Sequence, residues 1–134
     1  MLVADDNREM RNTVVHLIED EFDVVGTVGD GQALVDAESR LSPNIGIVDI
    51  SMPVMSGIEA AIEMRKRGSS MKIVFLTVNE DTDFVTAALE TGASGYVIKR
   101  HMVTDLISAL KATTAGGIFI SPCCQIPVDK PVGN

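Results

Sequence analysis

Residues 45–57 read IGIVDISMPVMSG, a short apolar run that ends at an aspartate, Asp49. A short apolar run bounded by polar residues is typical of a buried strand. A carboxylate at the end of such a strand is unfavourable unless it is solvated, paired or bound to a cation. Asp49 therefore either caps a loop or belongs to a functional site. Other features of the sequence distinguish these two interpretations.

The same pattern occurs three more times, because other short apolar runs also end at polar residues. The run LVA precedes Asp5 and Asp6, IVFL precedes Thr77, and YVI precedes Lys99. In an open parallel sheet, functional groups gather at the carboxyl ends of the strands. Three carboxylates repel one another unless a cation joins them, and a site rich in acidic oxygens suits Mg²⁺. The pattern therefore favours a functional site over a loop cap.

Strand-like and helix-like segments alternate along the chain. Apolar runs near residues 1–4, 23–28, 45–49, 72–77 and 95–98 predict five strands, and the segments after each have apolar residues at helical spacing. Alternation of this kind predicts an α/β fold, a doubly wound parallel sheet with helices on both faces.

Polar and glycine residues mark the ends of the predicted helices. Short polar side chains that accept a hydrogen bond from a free N–H are expected to begin three helices, and Ser56 with Glu59 has the spacing of a capping box. These helix starts are Asp30, Ser56 and Asp81. Glycine adopts the left-handed conformation readily and is expected to end three helices. These stops are Gly68, Gly92 and Gly116.

Composition narrows the class of protein. The chain has 134 residues, enough for one domain, and a net charge of −8, which makes it a poor nucleic-acid binder by itself. Its apolar runs are too short for a membrane span, and its start does not resemble a signal peptide, so we expect a cytoplasmic location. The adjacent Cys123 and Cys124 match neither a disulfide framework nor a zinc signature.

Four motifs in this order and spacing resemble a response-regulator receiver (CheY-like) domain over roughly residues 1–120. They are VADDN at 3–7, VDISMPVMSG at 48–57, FLT at 75–77 and GASGYVIK at 92–99. The resemblance implies a flavodoxin-like (βα)5 fold with a five-stranded parallel sheet in the order 2-1-3-4-5. Residues 121–134 are then expected to be a tail or a linker toward an output domain.

The resemblance also implies a role for each of three aspartates in phosphorylation and metal binding. Asp49 is expected to accept a phosphoryl group from a histidine kinase. Asp6 and Asp49 resemble the direct Mg²⁺ ligands, with the backbone carbonyl of Ser51 as a third, and Asp5 resembles the acid that acts through water. Mg²⁺ is thus the implied cofactor.

Further residues resemble the switch and the loop of the family. Lys99 resembles the lysine that contacts a phosphoryl oxygen, Thr77 the hydroxyl that moves toward it, and Tyr96 the aromatic residue that turns inward. Pro53 and Gly57 resemble the residues that shape the loop after the phosphoacceptor. Two positions depart from the commonest pattern.

At these two positions, Arg100 stands where many members have proline, and Val78 where a small residue is frequent. The larger side chain of Val78 is expected to restrict access to the phosphoacceptor.

The output is inferred from residues 116–122, GGIFISP, which resemble the segment leading into a helix-turn-helix domain in LuxR/NarL-type regulators. The expected partners are a sensor histidine kinase and, on phosphorylation, a second copy of the chain, with DNA bound only through an output domain. We expect a signalling module that promotes its own phosphorylation and dephosphorylation, not a turnover enzyme. The alternatives are a stand-alone receiver acting by protein contacts and a phosphorylation-independent binding module. A haloacid-dehalogenase-type phosphatase is disfavoured because Ser51 stands where a second aspartate is typical.

Overall fold

Strands and helices alternate throughout residues 1–125, the part of the chain that the computed structural model describes. Its strands form one sheet and are β1 (Leu2–Ala4), β2 (Gly26–Val28), β3 (Ile45–Val48), β4 (Lys72–Thr77), β5 (Gly95–Ile98) and β6 (Phe119–Ile120). Its α-helices are α1 (Arg8–Ile18), α2 (Gly31–Leu41), α3 (Gly57–Lys66), α4 (Thr82–Glu90) and α5 (Met102–Thr114). None of the helices described here combines the length and apolar character needed to cross a bilayer.

All strand pairs are parallel, in the order β2-β1-β3-β4-β5-β6. This confirms the flavodoxin-like α/β fold and the order of the first five strands. The predicted count of five strands is wrong, because β6 pairs with β5, with Gly95 opposite Phe119 and Tyr96 opposite Ile120. A strand of two residues is too short to show the period-two alternation by which strands are found in a sequence.

The chain continues to pack against β5 after β6. Ser121 is fully buried, its N–H donates to the Tyr96 carbonyl (2.8 Å), and its hydroxyl accepts from the Ile98 N–H (3.1 Å) and donates to Asp105 (2.8 Å). A 3-10 helix follows over Pro122–Cys124. The predicted tail or linker at 121–134 thus begins with packed residues, and its residues 126–134 lie outside the described part of the chain. The domain boundary at residue 120 stays a prediction.

The predicted helix starts carry the expected caps. Asp30 accepts from the Ala33 N–H (2.7 Å), Asp81 accepts from the first turn of α4, and Ser56 forms a reciprocal capping box with Glu59. The three predicted stops are confirmed by their left-handed backbone, which glycine adopts without strain. Their φ angles are 84° at Gly68, 82° at Gly92 and 86° at Gly116.

Two apolar cores lie on opposite faces of the sheet, because successive strand residues point to opposite sides. Phe75 of β4 belongs to the core beneath α2, α3 and α4, whereas its neighbours Val74 and Leu76 belong to the core beneath α1 and α5. Both faces of the sheet are therefore covered by helices. Polar side chains can therefore gather only beyond the strand ends, and the acidic residues Asp5 and Asp49 lie at the carboxyl edge.

Candidate functional site

Asp49 follows β3 at the carboxyl edge of the sheet and is buried, with 5% of its surface exposed. Its N–H donates to the Ala4 carbonyl (2.9 Å), which fixes it beside the end of β1. Gly57 packs directly against it, and a Cβ at Gly57 would lie 2.0 Å from the Asp49 carbonyl oxygen. Nothing larger than glycine fits there without moving the backbone, so Gly57 allows the loop after β3 to fold back on itself.

Lys99 brings a positive charge to Asp49 from β5, across the intervening strand β4. Its Nζ lies 2.7 Å from Asp5 Oδ2 and 3.0 Å from Asp49 Oδ2. Only 14% of the lysine side chain is exposed, and the two carboxylates are almost fully buried. One ammonium group therefore compensates two buried carboxylates.

The pKa values reflect this imbalance of charge. Burial raises the pKa of Asp49 above its ordinary value, and the hydrogen bond from Lys99 offsets this only in part. Burial by itself would lower the pKa of Lys99, but its hydrogen bonds to Asp5 and Asp49 outweigh burial and raise the pKa. The lysine therefore stays charged at neutral pH, while negative charge on Asp49 remains undercompensated.

Asp6 completes a cluster of three acids. Carboxylate oxygens of Asp5, Asp6 and Asp49 all lie within 4.8 Å of one another. Asp5 is buried and accepts from the Asn7 N–H (2.8 Å), whereas its neighbour Asp6 is exposed. Three oxygen donors with surplus negative charge and one side open to solvent fit a hydrated Mg²⁺ ion, which retains several waters when protein-bound.

Thr77 and Tyr96 are joined through a residue between them in space, Asn79. The Thr77 hydroxyl accepts from the backbone N–H (3.2 Å) and the side-chain amide (3.0 Å) of Asn79. Because a hydroxyl has two acceptor lone pairs and one proton, its O–H remains to donate elsewhere. The Tyr96 hydroxyl donates to the Asn79 carbonyl (2.7 Å), and burial raises the pKa of this phenol well above its usual value.

The loop after β3 contains an unusual backbone conformation. Val54 has φ of +70°, and around it the Met55 N–H donates to the Pro53 carbonyl (2.7 Å), which is the pattern of a γ-turn. A β-branched residue with positive φ is strained. Val54 is also 81% exposed, so packing does not compensate that strain. Ser51 and Pro53 lie exposed on the same loop.

The sequence model of the response regulator receiver domain matches residues 1–111. The chain belongs to this family.

Relatives of this receiver are response regulators of the LuxR/NarL type. The chain is 34% identical over 124 residues to the transcriptional regulatory protein DegU of Brevibacillus brevis, across 91% of the chain and 52% of DegU. It spans about half the length of the curated relatives that it matches.

Solved structures that resemble this chain also include response regulators of the LuxR family. A LuxR-family response regulator from Aurantimonas sp. SI85-9A1 superposes with a TM-score of 0.86 at 29% identity, over 92% of this chain and 89% of that one. RcsB, solved as two dimers bound to two parallel DNAs, superposes with a TM-score of 0.85 at 28% identity. The match covers 92% of this chain and 63% of the RcsB chain.

The predicted site residues of the receiver fall into two groups in space. Asp5, Asp6, Asp49 and Lys99 converge as the strand-end pattern suggests. Thr77 and Tyr96 form the second group. The individual roles in metal binding and phosphoryl transfer stay predictions.

The contacts of two further residues, Asn79 and Arg11, were not predicted from the sequence. Asn79 connects Thr77 to Tyr96 partly through its backbone carbonyl, a group that every residue carries and that gives no signal in a sequence. Arg11 donates from Nη1 to the Asp5 carbonyl (2.7 Å) and so holds the end of β1. Its only sequence signal is a position one turn into the helix that follows the acidic pair.

Proposed function

We propose that this receiver takes a phosphoryl group onto Asp49 from the phosphohistidine of a sensor histidine kinase. The observation that carries the proposal is the Asp49 carboxylate at the strand end, 3.0 Å from Lys99 Nζ and grouped with Asp5 and Asp6. A carboxylate is an established nucleophile for phosphoryl groups. Here the Asp49 carboxylate lies beside the ammonium group of Lys99 and within an acidic cluster that suits a bound metal cation.

Mg²⁺ is the cation that we assign to the acidic cluster. Asp6 and Asp49 would be its direct ligands, the backbone carbonyl of Ser51 would be a third, and Asp5 would act through water. All of these donors are oxygens, which Mg²⁺ prefers. When bound, the ion supplies neutralisation of the phosphoryl oxygens as charge develops on them.

In the transfer step, a carboxylate oxygen of Asp49 attacks the phosphorus atom. The phosphorus–nitrogen bond to the kinase histidine breaks, its electron pair leaves with the imidazole, and an acyl phosphate forms on Asp49. Lys99 keeps its proton because its pKa is raised, and one of its N–H groups turns from a carboxylate to a phosphoryl oxygen. Attack of water on the same phosphorus later breaks its bond to the Asp49 oxygen, releases inorganic phosphate and returns the carboxylate. The domain thus promotes its own phosphorylation and dephosphorylation.

The phosphoryl group then acts as a switch through Thr77. Both acceptor positions of the Thr77 hydroxyl are used by Asn79, so its proton is available to a new phosphoryl oxygen. Movement of Thr77 toward that oxygen pulls on Asn79, and Tyr96 follows because its hydroxyl bonds to the Asn79 carbonyl. The surface formed by α4, β5 and α5 is therefore biased by the charge added at Asp49.

Transcription is the output that we propose. DegU is a transcriptional regulator and RcsB has been seen as dimers on DNA, and the present chain matches 52% of DegU and 63% of the RcsB chain. We infer that phosphorylation promotes a homodimer of the receiver. DNA would then be bound through an output domain outside residues 1–125.

The decisive experiment is intact-mass analysis after incubation with acetyl phosphate and Mg²⁺. We expect one labile phosphoryl group per chain, lost in Asp49→Asn and absent when EDTA replaces Mg²⁺. Asp36→Asn is the matched control, because Asp36 lies exposed on α2, away from the site. A stable adduct in Asp49→Asn would contradict the assignment of the acceptor.

Dimerisation is measured separately, by light scattering of the protein with and without fluoroberyllate. A mass that stays at one chain in both samples, with fluoroberyllate bound, would contradict the proposed dimer without affecting the assignment of Asp49.

A further inference from the structure

The two cysteines of the chain form an adjacent pair whose thiols face each other. The chain contains only Cys123 and Cys124, and their sulfur atoms lie 3.5 Å apart without a disulfide bond. Cys123 is exposed, whereas Cys124 is 95% buried, with 5% of its surface accessible. One thiol is therefore open to a reagent in solution and the other is positioned just beneath it.

The segment that carries the thiols is attached to β5. The Cys124 N–H donates to the Ser121 carbonyl (2.8 Å), and the Ser121 N–H donates to the Tyr96 carbonyl (2.8 Å). Cys124 also belongs to the same buried cluster as Tyr96. Any change in the position of the Cys124 side chain is thus close to the residue proposed to follow the phosphorylation switch.

The sulfur–sulfur distance suits a bridge by one soft atom. If each sulfur binds such an atom at about 2.3 Å, the length of a zinc–sulfur bond, a separation of 3.5 Å gives an angle of about 99° at that atom. This is narrower than a tetrahedral angle and suits a pyramidal centre with a lone pair. A disulfide would instead require the sulfurs to close to about 2.05 Å.

Zinc fits this pair less well because it needs further ligands. Structural zinc sites have four protein ligands and catalytic sites have three. In the described part of the chain, the group of three or more ligand residues is the acidic cluster at Asp49, which does not include the cysteines. We propose that Cys123 and Cys124 form a two-thiol binding site for a trivalent thiophilic metalloid such as an organoarsenical, and that occupancy of this site is sensed by Tyr96.

The binding reaction balances without an oxidant. Two thiols and one arylarsonous acid, ArAs(OH)₂, give the cyclic dithioarsenite and two water molecules. Two arsenic–oxygen bonds break, two arsenic–sulfur bonds form, each thiol proton leaves with a hydroxyl group, and arsenic stays trivalent. Because no net proton is released, the pKa of Cys124, which burial raises to about 11, does not oppose the reaction as it opposes binding of a metal cation to thiolates.

The test uses phenylarsonous acid as the probe, followed by intact mass and by tyrosine fluorescence. The chain has one tyrosine and no tryptophan, so its intrinsic fluorescence reports Tyr96 alone. We expect one phenylarsenic group per folded chain, retained in excess monothiol, released by a dithiol, and accompanied by a change in fluorescence. Loss of one thiol should weaken binding by about 100-fold or more, because the second bond is then no longer intramolecular.

Three variants test the need for both thiols: Cys123→Ser, Cys124→Ser and Cys124→Ala. Circular dichroism verifies that each variant is folded. Cys124→Ala is included because a buried serine hydroxyl without a partner would itself destabilise the protein. Binding by Cys123→Ser as tight as by the wild type would overturn the two-thiol site, and so would capture by the wild type only after denaturation. A full adduct with unchanged Tyr96 fluorescence would overturn the proposal that Tyr96 senses occupancy.

Discussion

Replacing Lys99 by methionine tests whether one ammonium group holds the acidic site together. Methionine has a similar length and can occupy the same buried volume, but it cannot pair with the carboxylates of Asp5 and Asp49. Both carboxylates would then remain buried, with 3% and 6% of their side chains exposed, and without a cation. We therefore expect Lys99→Met to lower the free energy of unfolding in metal-free buffer.

The magnitude follows from the burial of the pair. Removing one partner of a buried ion pair destabilises a protein by about 3–5 kcal/mol. The exposed neighbour Asp6 shows that water reaches one side of this site, which favours the lower limit of about 3 kcal/mol. For a domain of this length, with an unfolding entropy of about 2.1 cal/mol/K per residue, this corresponds to a decrease in Tm of roughly 10 °C.

Urea unfolding followed by circular dichroism, in EDTA and in excess Mg²⁺, measures this effect. Mg²⁺ should restore part of the loss, because an ion at the proposed site would bind only the folded protein and would offset part of the uncompensated negative charge. Adding Asp49→Asn to Lys99→Met should also restore part of it, since one buried charge is removed. Lys111→Met is the control, because Lys111 and Glu21 form an exposed pair that contributes less than about 1 kcal/mol. A free energy for Lys99→Met within about 0.5 kcal/mol of the wild type in EDTA would refute the reasoning.

Three further predictions concern the acidic site and the cysteine pair. Asp49→Asn should be more stable than the wild type at pH 7 in EDTA. Because the folded-state pKa of Asp49 is raised, ionisation favours the unfolded chain as pH rises above the ordinary value of 3.8, so the advantage should vanish below that pH in a series of urea titrations. Gly57→Ala should cost about 3 kcal/mol or more, because its Cβ would overlap the Asp49 carbonyl; an unchanged midpoint of unfolding would contradict this contact. Iodoacetamide at pH 8 should modify Cys123 and leave Cys124 largely unmodified, since Cys124 is buried and its pKa is raised to about 11; equal labelling in a peptide map would show that the segment is open.

The first five strands were predictable because their sequences are short, mainly apolar runs, whereas their order was implied by the resemblance to the receiver family. The convergence of Asp5, Asp6, Asp49 and Lys99 was predictable for a related reason, since the carboxyl ends of parallel strands share one edge. Neither the strands nor the convergence of these four side chains requires a measured distance between residues to be predicted. Both depend only on where each residue stands relative to the end of its strand.

Other parts of the site depend on interactions that a sequence does not display. The hydrogen bond from the Tyr96 hydroxyl to the Asn79 carbonyl uses a backbone group. The type of residue at position 79 therefore does not predict this bond. The γ-turn at Val54 runs against local preference, because a valine rarely has positive φ, and it lies in the loop that Gly57 allows to fold back against Asp49. At Val54, tertiary structure overrides local propensity.

The two residues of β6 also cover part of an edge that would otherwise favour aggregation. Without them, β5, whose sequence is GYVI, would be the terminal strand of the sheet and would present free N–H and C=O groups along an apolar segment. Such an edge is a template for pairing with other chains. The family match ends at residue 111, eight positions before β6 begins at Phe119. A fragment cut at the family boundary would therefore be prone to self-association, whereas one that extends through Gln125 keeps this edge covered.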